Sequence, residues 1–293
     1  MAAQADAQDS VVTVVTVGGG TVAAGSPLLH ADDLAALRGD GVFETLLVRD
    51  GTVCLLDAHL RRLARSAELM DLPAPNLDDW RRAVEEAVQQ WAGTGEGSLR
   101  MIYSRGRESG SATDPAPTAY VLLTPLPERI AAVRREGVAV VTLDRGLSAQ
   151  GLELPWLLAG AKTLSYAVNM AALRYAATQG ADDVIFISSD GYVLEGPRST
   201  VVLAEPGRLI TPPLSHPILR GTTVEALFEV ARGAGYECEF APLRPADLAA
   251  AQDLWLVSSI TLAARVHTLD GRPLHPRLSS EEFAGLVDTA IGH

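Results

Sequence analysis

Short alternating runs of apolar and polar residues, each closed by a tight-turn signal, recur in both halves of this 293-residue chain, and helical segments fall among them in no regular order. That pattern restricts the fold more than any other feature, because a parallel, doubly wound sheet needs strands and helices in strict alternation. Val11–Val17 reads as a strand closed by "GGG" (Gly18–Gly20), with a second short strand near Thr21. Val42–Val48 follows, with a hairpin tip at Arg49–Gly51 and a return strand over Thr52–Leu56. In "DAHLRRLARSAELMDL" the residues Leu60, Leu63, Ala67 and Met70 have helix spacing, and Asp57 is placed to cap the start. A second helix covers Leu77–Trp91, and strands at Ser98–Ser104 and Ala119–Thr124 flank the loop "GRESGSATDPAPT". The second half offers a strand at Val138–Leu143, an irregular stretch to Pro155, and a helix through Lys162 to about Gln179. A ribbon of short strands then turns at Asp190–Gly191 and Pro206–Gly207. Helices at Thr222–Gly233 and Pro245–Ala250, a last strand at Asp253–Ser258 and a C-terminal helix complete it. The fold class expected is therefore α+β in two domains, with the junction in "PLPERIAAVRREG" (Pro125–Gly137). Residues 1–10 form a disordered tail, 11–126 a small N-terminal α+β domain, and 127–293 a larger C-terminal α+β domain that carries Lys162.

Composition removes whole classes of function. The net charge is -12, and no stretch clusters Lys and Arg with aromatic residues, so a nucleic-acid partner is excluded. "VVTVVTV" is too short to span a bilayer, and "MAAQADAQDS" is neither a signal peptide nor an anchor. Two cysteines, Cys54 and Cys238, lie far apart without metal-ligand spacing, which fits a reducing cytoplasm. The six histidines do not pair at metal spacing, so no metal is expected, and His59 reads as a packing or capping residue. HExxH, Walker and GxSxG motifs are missing, and "VGGGTVAAG" lacks the setting of a dinucleotide fingerprint and reads as a turn.

One residue stands out chemically. Among 24 Lys and Arg residues the chain has a single lysine, Lys162, in "LLAGAKTLSYAVNMAALRYA". Arginine and lysine are nearly equivalent as surface charge, but only an amine can lose its proton and condense with a carbonyl. The run before Lys162 is apolar and the next charged residue is Arg174, which predicts a desolvated amine with a lowered pKa. Such an amine forms Schiff bases with a carbonyl substrate or with pyridoxal phosphate. The pyridoxal option also requires a carboxylate for the pyridinium nitrogen and donors for a phosphate. Glu195 in "DGYVLEGPRST" suits the carboxylate, or is a turn acid. Gly221, Thr222 and Thr223 open a helix as phosphate donors, or are plain caps. Ser258 and Ser259 close a strand with hydroxyls to spare, or are loop polarity, and Arg62 is a helix cation beside apolar residues, or surface charge.

Taken together, "RGDGVFETLLVRDG", "LLDAHLRRLARSAELMDLP", "AKTLSYAVNMAALRYA", "GADDVIFISSDGYVLEGPRSTVV" and "ILRGTTVEALFEVA" resemble fold type IV pyridoxal-phosphate enzymes, in family order from about Leu28 to Gly271. That family includes aminodeoxychorismate lyases and the D-amino-acid and branched-chain aminotransferases. The resemblance implies a two-domain α+β fold with pyridoxal 5′-phosphate between the domains, and a homodimer in which a partner loop helps close the site. It makes Lys162 the catalytic Schiff-base lysine and Glu195 the partner of the pyridine nitrogen. Arg62, three residues after His59, becomes the phosphate arginine in preference to Arg61, joined by Gly221, Thr222, Thr223 and Ser259. Tyr166 falls near the ring hydroxyl, and Phe43 and Glu44 fall on the strand that lines the substrate side.

The substrate end departs from the bacillary D-amino-acid aminotransferases, which carry an Arg-x-His carboxylate trap after "RG". Here "SRGRESGSA" supplies Arg105 and Arg107, the candidates for substrate binding, and no histidine. The activity implied is a lyase converting 4-amino-4-deoxychorismate to 4-aminobenzoate and pyruvate for folate synthesis. The alternative is a class IV aminotransferase acting on D-amino acids or branched-chain amino acids with a 2-oxo acid acceptor, with both activities in one site a further option.

Overall fold

The computed structural model describes residues 12–109, 116–251, 253–275 and 279–292. The expected tail (1–10), Val11, residues 110–115 of the loop after the third long strand, and His293 lie outside the described residues. The chain divides into two compact units, which makes it an α+β protein with an antiparallel sheet in one and a mixed sheet in the other. One unit holds the described residues up to Pro127 together with Ala161–Tyr166. The other holds Glu128–Gly160 and the described residues from Ala167 onward.

In the first unit, β1 (Thr13–Thr16), β2 (Gly20–Val22), α1 (Leu34–Arg38), β3 (Gly41–Arg49), β4 (Thr52–Val53), α2 (Leu56–Leu69), α3 (Leu77–Gln90), β5 (Gly97–Ser104) and β6 (Thr118–Pro125) follow in chain order. The sheet runs β2-β1-β6-β5-β3-β4, antiparallel throughout. Helix α2 packs on β3, and α3 packs on β1 and β6. Leu60, Leu63 and Ala67 of α2 are buried at helix spacing, each large side chain contributing about 1.5–3 kcal/mol. Asp57 does not cap this helix. The helix begins two residues earlier, at Leu56, with Leu55 in a left-handed conformation as its N-cap, so Asp57 lies in the first turn and pairs with Arg81 at 2.8 Å. That early start also shortens the expected return strand to Thr52–Val53.

The second unit contains α4 (Arg129–Glu136), β7 (Val138–Asp144), α5 (Ala167–Thr178), β8 (Asp183–Ile187), β9 (Thr200–Glu205), β10 (Arg208–Thr211), α6 (Thr222–Gly233), β11 (Glu237–Phe240), α7 (Pro245–Ala250), β12 (Asp253–Ser258), β13 (Leu262–Leu269), β14 (Arg272–Pro273) and α8 (Ser280–Ala290). Its sheet runs β11-β10-β9-β12-β13-β7-β8, with β14 attached to β13. Val140, Ile185, Val201, Leu254 and Val266 fill one side of that sheet, and Val184, Phe186, Leu194 and Ile218 pack with Ala172 and Ala176 of α5. Asp253–Ser258 is not the last strand. Its successor β13 is alanine-rich ("LAARVHTL") and was not expected, because alanine favours helices and a strand between two neighbours is decided by pairing.

The expected helix through Lys162 is also corrected. Helix α5 starts only at Ala167, after Leu158 (φ 52°) and Gly160 (φ 91°) break any helical path. Residues Lys162–Leu164 are extended and pair with the start of β3: Thr163 bridges Val42, and Leu164 N–H donates to Gly41 C=O at 2.8 Å. This edge pairing satisfies backbone groups that a helix would otherwise have satisfied. Lys162 therefore groups with the first unit, whereas the sequence placed it in the larger C-terminal domain.

Candidate active site

In the first unit the backbone of Lys162 is fixed on both sides. Its N–H donates to Ser66 Oγ at 3.1 Å, and its C=O accepts from Phe43 N–H at 2.9 Å. The amine Nζ stands 4.5 Å above the centre of the Phe43 ring and 5.8 Å from that of Tyr166, while the two rings meet edge to face at 5.4 Å. Lys162 is half-buried, so the apolar run before it does not seal it away; two aromatic rings give it its surroundings instead. Three of the expected residues, Lys162, Phe43 and Tyr166, are thus brought together.

Ser66 belongs to a polar stripe on α2. His59, Arg62 and Ser66 are spaced three and four residues apart, so they share a face of the helix, and that face packs on β3. Glu44 of β3 is fully buried against this stripe. Its Oε1 accepts from Arg62 Nε at 2.7 Å, and its Oε2 accepts from Arg62 Nη2 at 2.6 Å and contacts His59 Nδ1 at 2.7 Å. Burial alone would raise the Glu44 pKa, but the charge and hydrogen bonds of Arg62, helped by His59, outweigh it and bring it down to about 2. Burial pushes the His59 imidazole down against the pull of Glu44, so the ring is neutral near pH 7 and its Nδ1–H is the donor to Glu44. His59 is therefore buried but is no cap. Phe43 and Glu44 alternate along β3, so only Phe43 is turned to Lys162, and the expectation that both line the substrate side is corrected. The pattern was visible in the sequence as two polar residues and a serine recurring on an otherwise apolar helix face, but nothing there named Glu44 as their partner.

The two arginines after β5 differ. Arg105 is clasped: its Nε holds Asp40 at 2.7 Å, and its Nη atoms reach the carbonyls of Met70 and Asp71 at 2.6 and 3.0 Å. Arg107 is about half exposed (48%) and spends its Nε on Asp32, whose carboxyl is held well below the usual range by that bond and by Ser109.

In the second unit, Glu195 follows a bridge between Val193 and Ile187, with its C=O accepting from Phe186 N–H at 2.9 Å. Its Oε2 accepts from Leu219 N–H at 3.0 Å. Two residues later the same loop reaches Gly221, the N-cap of α6, which has no side chain to cap with. A Cβ at Gly221 would come within 2.5 Å of Thr200 Oγ1, so the backbone approaches β9 as only glycine allows. Thr222 and Thr223 open α6 and are buried, and Thr223 Oγ1 lies 3.5 Å from Ser259 Oγ. Ser258 is taken up by its own turn, at 2.6 Å from Thr261 Oγ1. A helix start of this kind, with hydroxyls beside it, favours an anion, and the carboxylate anchored just upstream favours a cationic ring nitrogen. The donor set on this loop suits a phosphorylated pyridine, and within the first unit the pinned amine suits an aldehyde. Among the described residues no group of His, Cys, Asp and Glu could hold a metal ion.

The chain as a whole is similar to known proteins. The sequence profile of the family described as amino-transferase class IV matches residues 41–269. A bifunctional aminodeoxychorismate lyase / D-amino acid transaminase of Mycobacterium tuberculosis is 64% identical over 288 residues, covering 95% of this chain and 98% of its own. A solved structure of a hypothetical aminotransferase from Mycobacterium tuberculosis, in its PLP-bound form, is 64% identical, with a TM-score of 0.92 over 96% of this chain and 99% of that one. The fold IV transaminase of Curtobacterium pusillum is 41% identical, with a TM-score of 0.88 over 96% and 97% of the two chains.

Proposed function

The chain belongs to the class IV amino-transferase family, and on that premise we propose that it is a pyridoxal 5′-phosphate enzyme with two outlets, an aminodeoxychorismate lyase and a D-amino-acid transaminase. One observation carries the reading: the chain's single lysine is pinned at both its N–H and its C=O, with its amine set over Phe43. Lys162 would hold the cofactor covalently and Glu195 would face its ring nitrogen. Arg62, Gly221, Thr222, Thr223 and Ser259 would take its phosphate, and Tyr166 would serve its ring hydroxyl. When bound, the cofactor supplies an electron sink for the carbon that bears the substrate's amino group.

The residues of this chain do the rest. Once the substrate amine has displaced it, the Lys162 amine takes the proton from that carbon. Phe43 and Tyr166 shield the amine from water on the side they occupy. In the lyase branch the enol-ether C–O bond breaks as the proton leaves, and 4-amino-4-deoxychorismate becomes 4-aminobenzoate and pyruvate with no water, oxidant or acceptor consumed. In the transaminase branch the amino group of a D-amino acid is kept and then passed to a 2-oxo acid. The proton handled by Lys162 is the same in both, so one amine can serve both. Of the two arginines, Arg107 would meet a substrate carboxylate, because Arg105 would first have to release Asp40 and two carbonyls.

The exposed apolar side chains of the second unit support a homodimer: Trp156 is 72% exposed, and Val168 and Tyr175, seven apart on α5, are 53% and 52% exposed. The free cysteines Cys54 and Cys238 fit a cytoplasmic enzyme of folate synthesis, and among the described residues no helix is long and apolar enough to cross a membrane. The test mixes the cofactor-loaded protein with 4-amino-4-deoxychorismate and no keto acid, and follows 4-aminobenzoate by fluorescence. Sustained turnover is expected, as is pyruvate formation from D-alanine with 2-oxoglutarate. Product in the second assay alone would remove the lyase branch.

A further inference from the structure

We propose that Glu44 and His59 are positioning residues that fix the plane of the Arg62 guanidinium and thereby set affinity for the cofactor's phosphate group rather than for the rest of the cofactor. The inference rests on the reading of Arg62 as a phosphate residue. It starts from the burial of three ionisable side chains in one place: Glu44 is 0%, His59 1% and the Arg62 side chain 10% exposed. Taking charges out of water is unfavourable, and a helix that packs on a sheet would be served as well by leucine at positions 59 and 62. These polar groups are arranged for direction. The two bonds from Arg62 Nε and Nη2 to the two oxygens of one carboxylate form a planar fork. A guanidinium gripped side-on in this way cannot turn about its long axis, so the directions of its remaining N–H bonds are fixed.

His59 completes the arrangement from the same helix. Its Nδ1 at 2.7 Å from Glu44 Oε2 holds the carboxylate that holds the arginine. The three residues come from two elements only, β3 and α2, which pack directly on each other, so the orientation is set by the rigid part of the unit. The same stripe of α2 ends at Ser66, which grips the Lys162 N–H. One helix face thus orients the phosphate cation and the covalent attachment point together.

The experiment measures dissociation constants of pyridoxal 5′-phosphate and of pyridoxal, which lacks the phosphate, on the apo-protein. Glu44→Gln keeps the shape and removes the charge and one acceptor. It is expected to weaken pyridoxal phosphate about tenfold, the scale of a lost charge-assisted hydrogen bond, with pyridoxal nearly unchanged. His59→Leu should act in the same direction, and His59→Asn, whose amide can donate where Nδ1 did, should restore binding. In an Arg62→Lys background, which already lacks the fork, Glu44→Gln should add little. Equal weakening of both ligands would overturn the proposal in favour of a purely structural role, as would a full additional loss in the Arg62→Lys background. Should Glu44→Gln not fold, the two His59 variants decide. If Arg62→Lys itself leaves the preference for pyridoxal phosphate over pyridoxal intact, the reading of Arg62 is what has failed, and that arm shows it separately.

Discussion

On the proposed function, the two units would answer the need to receive an anion by opposite means. In the first, Arg62 supplies a full charge, and that charge is buried against the Glu44 carboxylate, which balances it and which His59 holds in place. In the second, the start of α6 offers backbone amides, threonine hydroxyls and a glycine close approach, all of them neutral. A buried ion cluster is directional but depends on every member, because removing one leaves the others uncompensated. A helix start asks for little beyond the right backbone and tolerates the loss of any single side chain better. Polar groups with a similar task therefore carry very different consequences for stability.

The widest separation between chemistry and fold is at Lys162. Lys162→Arg keeps a cation over the Phe43 ring and leaves the N–H and C=O contacts in place, but removes the nucleophile and the base. Turnover in both assays should fall on the order of 10^4-fold or more, with the urea midpoint almost unmoved. Wild-type rates in this variant would end the catalytic reading of both units at once.

Next in size is Arg62→Leu, which strands Glu44 in the interior. Destabilisation of about 3–5 kcal/mol is expected in urea titrations, as for a broken buried ion pair. Its pH dependence sharpens the contrast. In the native protein the Glu44 pKa, about 2, lies below the ordinary 4.5, so Glu44 adds stability above pH 4.5 and that stability is lost as the pH falls towards 2. Without Arg62, burial pushes the carboxyl up instead, and the contribution changes sign: mild acid should stabilise the variant relative to pH 7. A parallel fall of both proteins in acid would show that Glu44 does not depend on Arg62.

The second unit should be less brittle. Gly221→Ala drives a methyl to within 2.5 Å of Thr200 Oγ1, so something must shift, at a cost of about 1–3 kcal/mol. Because the strain is local, adding Thr200→Ala should recover most of it in the same thermal-melt assay. No recovery would place the strain in the backbone rather than in that contact.

The sequence made some of this legible and hid the rest for physical reasons. Periodicity located β3, α2, α3 and α6 closely, since each buries one face against its own sheet, although Asp57 does not cap α2 and Glu44 of β3 is buried against that helix. It misplaced Lys162 on a helix because the apolar run "LLAGA" and the helix "AVNMAALRYAA" are close in composition, while the segment between them is taken up by pairing of Thr163 and Leu164 with the start of β3. It missed β13 because an alanine-rich strand is defined by its neighbours. Glu44 is the instructive case. A single acid in an apolar strand carries no periodic signal, and its partners lie 15 and 18 residues away on another element. Only the fold brings the three together.

The smallest effect should come from Thr223→Val, and it tests the neutral half of the comparison most directly. The substitution keeps volume and branching and removes one hydroxyl, which lies 3.5 Å from Ser259 Oγ and so makes a weak bond at best. Thr223 is nearly fully buried at the start of α6, where the backbone amides and the helix dipole remain untouched by the change. Stability should therefore move by no more than about 1 kcal/mol, and pyridoxal phosphate should bind only a few-fold more weakly, with pyridoxal unaffected. The comparison with Glu44→Gln, at one atom changed in each case, is the informative number. If Thr223→Val weakens phosphate binding as much as Glu44→Gln does, the helix start relies on its hydroxyl rather than on its backbone, and the contrast between a charged clamp and a neutral cradle dissolves.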